Sequence, residues 1–124
     1  MKDKDILRKG DALYRSYNEK DKRAILNEFP YGWNQKFELE CCMDNNIDIK
    51  PIANINIKSY TMCAYRELAS KRFSFETIEM IIDPYFSESK VNILVKCAKH
   101  HFDITKLYNK DYQCIKDFYE RNNK

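Results

Sequence analysis

The stretch Leu39-Glu40-Cys41-Cys42-Met43-Asp44-Asn45-Asn46-Ile47-Asp48-Ile49 decides the fold. Its apolar residues first recur at helical spacing (Leu39, Cys42, Met43) and then alternate across one polar residue (Ile47-Asp48-Ile49). Steps of three and four place side chains on one face of a helix. Asn45-Asn46 suits the end of that helix, because asparagine tolerates left-handed backbone geometry. Asp48 is then placed to cap a short second helix over 49–53, and Pro51 is tolerated in its first turn.

The same pattern returns downstream. Tyr65/Leu68/Ala69 precede Phe73-Ser74-Phe75, and Leu94/Cys97/Ala98 precede Phe102-Asp103-Ile104. A fourth triplet, Ile115/Phe118/Tyr119, ends the series, at intervals of 26, 29 and 21 residues. Periods of this length point to stacked supersecondary units. Ile47, Ile49, Ile55 and Ile57 also alternate as a strand would. The helical reading is preferred, because the equivalent slots carry Phe73-Ser74-Phe75-Glu76-Thr77 in the next copy.

Long helices are therefore expected over 33–45, 58–70, 87–99 and 110–121. Short helices are expected over 75–82, capped by Ser74, and over 104–108, capped by Asp103. Upstream, Ile6, Leu7, Leu13, Tyr14 and Tyr17 suggest a helix over 3–17 with a weak point at Gly10. Asn18 or Asp21 is placed to cap another that holds Ala24, Ile25, Leu26 and Phe29, stopped by Pro30-Tyr31-Gly32. The expected fold is all-α: a solenoid-like array of alternating long and short helices over 33–124. An N-terminal helical cap over 1–32 would complete it as one domain.

Composition fits this reading. The chain has 124 residues, 44% hydrophobic and 33% charged, with two glycines and three prolines. That is enough apolar material for a core and too much for disorder. No apolar run approaches membrane-spanning length. The start, Met1-Lys2-Asp3-Lys4-Asp5, lacks the apolar stretch of a signal peptide, so the cytoplasm of a bacterial host cell is the expected compartment. Five cysteines, two of them adjacent at Cys41-Cys42, suggest neither a disulfide framework nor a zinc site. Cys42 and Cys97 share a slot of the apolar triplet and are expected in the core.

The segment from Tyr31 to Tyr65 resembles the short tandem helical repeats of small proteins from Firmicutes phages and mobile elements. The matching features are Trp33-x-Gln35, Asn45-Asn46, Ile47-Asp48-Ile49 and Ala53-Asn54. The later copies keep the apolar and capping slots but lose the Trp-x-Gln start and the Ala-Asn connector. The resemblance implies a helical architecture, a bacterial or phage setting and a role in protein binding, and it brings no catalytic residues. Some small phage proteins of this general kind resemble anti-CRISPR or other anti-defence inhibitors.

Chemistry-bearing motifs are scarce. His100-His101 are adjacent and point about 100° apart on a helix, so they do not share a metal. Two glycines build no phosphate-binding loop. Neither catalysis nor a metal or cofactor is expected.

Aromatic residues make up 14% of the chain, and tyrosine and tryptophan suit protein interfaces. Trp33, Tyr60, Tyr85, Phe86, Tyr108 and Tyr112 fall near helix ends and connectors, outside the repeat triplets, and are the candidate partner-binding residues. The first functional expectation is a non-enzymatic protein-binding module. Its most concrete form is a phage-encoded inhibitor that occludes a surface of a Cas nuclease or another bacterial defence protein. The formal net charge is +3, with acidic residues interspersed. The alternative is a nucleic-acid-binding regulator using Lys58, Lys71, Arg72, Lys96, Lys99 and Lys110.

Overall fold

A computed structural model describes residues 14–28 and 30–123. Six α-helices occupy these residues: α1 (Glu19–Glu28), α2 (Trp33–Asp44), α3 (Ser59–Ser70), α4 (Phe75–Ile81), α5 (Glu88–Lys99) and α6 (Tyr112–Asn122). Single 3₁₀ turns stand at Lys50–Ile52 and Ile104–Lys106. Among the described residues no sheet forms; the only strand-like pairing is one bridge between Tyr14 and Ile47. The all-α expectation therefore holds, including the preference for helical over extended geometry after Asp48. That short segment is tighter and shorter than expected, one 3₁₀ turn in place of a helix over 49–53.

The long helices pack in chain order. α2 lies against α3, α3 against α5, and α5 against α6, while α4 sits beside both α3 and α5. The triplets make this contact. Leu39, Cys42, Met43, Tyr65, Leu68, Ala69, Leu94, Cys97, Ala98 and Ile115 are all buried, and Phe118 and Tyr119 close the last helix against the core half-buried. Covering one such aliphatic side chain contributes roughly 1.5–3 kcal/mol, so these buried side chains hold the row together.

Each of the first three long packing helices is stopped in the same way. Asn46, Arg72 and His101 adopt φ values of 58°, 66° and 62°. The amide of the next residue then donates back into the helix: Ile47 to Cys42, Phe73 to Leu68 and Phe102 to Cys97, at 2.8, 3.1 and 3.0 Å. This six-to-one closure is the Schellman arrangement, which satisfies carbonyls that the helix end leaves open. It turns the chain so that a capped short element follows. Ser74 accepts from the Thr77 amide, Asp103 from the Thr105 amide, and Asp48 from the Lys50 amide.

The starts of the long helices are stapled too. The Gln35 carboxamide donates to the Ile57 carbonyl oxygen at 2.7 Å, and the Tyr60 hydroxyl donates to that of Phe86 at 2.9 Å. Ile57 and Phe86 each stand just before the N-cap of the next long helix, Lys58 and Ser87. The long helices thus begin at one end of the row and finish at the other.

The N-terminal expectation needs a correction. Residues 1–13 lie outside the described residues, as does Phe29, but 14–17 are not helical. The Arg15 amide donates to the Asn46 carbonyl oxygen at 2.9 Å. Tyr17 receives the Ile49 amide on its hydroxyl at 3.2 Å. The segment is not helical because its hydrogen bonds go to the turn after α2. Asn18 caps α1 through the Asp21 amide at 2.7 Å, and α1 packs on α2.

Candidate interaction surface

The end of the row where the long helices begin collects the aromatic residues singled out by sequence. Trp33 opens α2, Tyr60 lies in the first turn of α3, Tyr85 and Phe86 precede α5, Tyr108 follows the second 3₁₀ turn, and Tyr112 opens α6. Their roles differ. Tyr60, Phe86, Tyr108 and Tyr112 are half-buried against the core, and the Lys90 ammonium lies 3.9 Å from the centre of the Phe86 ring. Trp33 and Tyr85 project into solvent, 80% and 94% exposed.

Trp33 is joined by a residue that the sequence reading missed. Phe37, one turn along α2 and 50% exposed, stacks on it with ring centres 6.2 Å apart and planes 12° from parallel. A signal was present in the sequence. Phe37 sits two residues before Leu39, whereas Cys63, Asn92 and Gln113 stand two residues before Tyr65, Leu94 and Ile115, so a large ring there is out of pattern. Nearby, Ile55 is 48% exposed, and its carbonyl oxygen is held by Gln35 at 2.9 Å. A shallow hollow of about 450 Å³ lies between the first 3₁₀ turn and α4, lined by Pro51, Ile57, Phe75, Ile82, Pro84 and Tyr85 among others.

The long helices also frame a more polar cleft of about 640 Å³, walled by α2, α3 and α5. Two of its carboxylates are engaged. Glu38, buried, meets the Arg66 guanidinium at 2.8 Å, and Glu67 pairs with Lys99. Cys63 lines the cleft and receives an Arg66 N–H at 3.6 Å. Burial pushes the Cys63 thiol above its ordinary value and drives Cys42 up to about 12, so neither is a ready nucleophile near neutral pH. Among the described residues no group of His, Cys, Asp and Glu is arranged to hold a metal ion.

The six basic residues are not brought together. Lys58 and Lys110 lie where the long helices begin, whereas Lys71, Arg72, Lys96 and Lys99 lie at or near the opposite ends of α3 and α5. Twelve residues of helix separate such ends by about 18 Å. Lys99 is paired with Glu67, and the Arg72 guanidinium lies 5.4 Å from the centre of the Tyr14 ring. No helix among the described residues is long and apolar enough to cross a membrane.

Comparison of the chain with protein-family profiles, with curated proteins and with solved structures returns no match.

Proposed function

We propose that this protein is a non-enzymatic binding module that docks onto another protein through the start of α2. The stacked Trp33–Phe37 pair carries the reading. Trp33 at 80% and Phe37 at 50% exposure forgo part of the roughly 1.5–3 kcal/mol that full burial of a large apolar side chain gives, and both stand on a helix whose opposite face is locked into the core. A rigid aromatic anchor of this kind is what interface hot spots are made of. Tyr85 and the apolar hollow beside it widen the surface. The concrete form of the proposal is an inhibitor, from a phage or mobile element, that occludes a surface of a bacterial defence nuclease. The resemblance of residues 31–65 to small phage repeat proteins supports that setting. The net charge of +3 argues against phosphate mimicry and for blockade of a protein surface.

The experiment is co-purification from bacterial lysate with the wild type and with a Trp33→Ala/Phe37→Ala variant as baits. The proposal expects a defined protein retained by the first and lost by the second. A gel shift with duplex DNA, single-stranded DNA and RNA addresses the alternative. Retardation lost on changing Lys71 and Arg72 to Ala, with the aromatic pair irrelevant, would replace the docking reading by the regulator reading.

A further inference from the structure

The cleft-facing stripe of α5 has a symmetry of charge that the packing of the chain does not use. Glu88, Asn92 and Lys96 follow one another at intervals of four, all exposed and all lining the polar cleft. Residues four apart share a helix face. Glu88 and Lys96 are eight residues apart, about 12 Å along the axis, too far to pair with each other. The cleft's other carboxylates are taken, Glu38 by Arg66 and Glu67 by Lys99. Among the described residues neither Glu88 nor Lys96 makes an ion pair.

Reversing the direction of this stripe exchanges the acid with the base and returns Asn92 to itself. We infer that α5 is the contact helix of a homodimer in which two copies lie antiparallel about a two-fold axis at Asn92. Each Glu88 then meets Lys96 of the other copy, so one axis creates two ion pairs. The two Asn92 amides, each both donor and acceptor, face one another at the centre. A two-fold interface needs one patch that complements itself, and opposite charges placed evenly about a neutral centre supply that. The occupant is a second copy because the required chemistry, an acid and a base at this separation in reversed order, is the chain's own. The ring of Tyr60, at the cleft wall, adds apolar surface to an otherwise polar and wet contact. The inference uses α5 and goes beyond the docking role of α2, and either can fail alone.

Sedimentation equilibrium of the purified full chain tests it. The wild type should show a reversible monomer–dimer equilibrium that weakens with added salt. Glu88→Lys and Lys96→Glu should each weaken association by roughly tenfold or more, because each opposes like charges twice across the axis. An equimolar mixture of the two variants should dimerise again, since the lysines of one copy meet the glutamates of the other. The chain carrying both changes should also recover a homodimer. Both positions are exposed, and circular dichroism should show unchanged helicity. A wild type that stays monomeric at every loading concentration overturns the inference, as does a dimer that neither single change weakens or that the mixture fails to restore.

Discussion

Arg72 and His101 hold the same left-handed backbone conformation, at φ 66° and 62°, each one residue past the C-cap of its helix. That conformation crowds the Cβ of any residue but glycine and costs roughly 1–2 kcal/mol. Glycine has a larger unfolded-state entropy to lose, which offsets part of the gain. His101→Gly should therefore stabilise the fold by about 0.5–1 kcal/mol in urea denaturation. Arg72→Gly should gain less, because its guanidinium contact with the Tyr14 ring goes with it. A clear loss of stability in His101→Gly would mean that its contact with Phe73 matters more than the turn.

Tyr65 couples the hydrophobic core to the turn after α2. Its side chain is fully buried, and its hydroxyl donates to the Asp48 carbonyl oxygen. Tyr65→Phe leaves that oxygen without its buried donor and should cost about 1–3 kcal/mol. Tyr60→Phe, at a half-buried staple, should cost about 1 kcal/mol or less. Chemical denaturation of the two variants should preserve that order.

The carboxylates that cap α6 and the second 3₁₀ turn give the stability a pH dependence. Bonds from the Cys114 amide hold Asp111 below its ordinary value of 3.8, and bonds from Thr105 do the same for Asp103. Both groups have lower values folded than unfolded, so the unfolded chain binds more protons through that range. Their contribution is present above about pH 4 and is lost as the pH falls through the depressed folded values. A thermal melting series on Asp111→Ala should show a shallower acid limb than the wild type.

The same carboxylate governs a thiol. Cys114 is exposed, yet its hydrogen bond with Asp111 and the charge of that group raise its value above the ordinary 9.0. Replacing Asp111 by Asn keeps a capping oxygen and removes the charge. Asp111→Asn should speed alkylation of Cys114 at pH 8 while Cys42 and Cys97, buried and raised to about 12 and about 11, stay unreacted until unfolding. Mass mapping of the alkylated sites reads both outcomes.

Much of this architecture was legible because burial follows period. Leu39, Tyr65, Leu94 and Ile115 share one slot, and all four are buried without remainder. Asn46 announced its turn, since asparagine visits left-handed geometry readily. Arg72 gave no such sign, and the enrichment of histidine at positive φ is too general a signal to mark His101; the three-fold regularity of the closure shows only in the backbone. The segment 14–17 misled for a different reason. Its apolar spacing is compatible with a helix, but Tyr17 and Arg15 are held by the 46–49 turn, a contact across some thirty residues that periodicity does not report. At the candidate surface, the aromatics picked out by sequence lie where the long helices begin. Spacing did not separate the exposed rings of Trp33 and Tyr85 from the packed ones of Tyr60, Phe86, Tyr108 and Tyr112, and it passed over Phe37.

Salt resistance of the captured complex tests the docking account most directly. Apolar contact survives screening, whereas exposed ion pairs weaken once the Debye length falls to about 3 Å at 1 M salt. The complex should persist on the wild-type protein through about 1 M sodium chloride and be absent with Trp33→Ala/Phe37→Ala at any salt. Release of the partner at moderate salt, equally from wild type and variant, would contradict the claim that the stacked rings of α2 are the anchor.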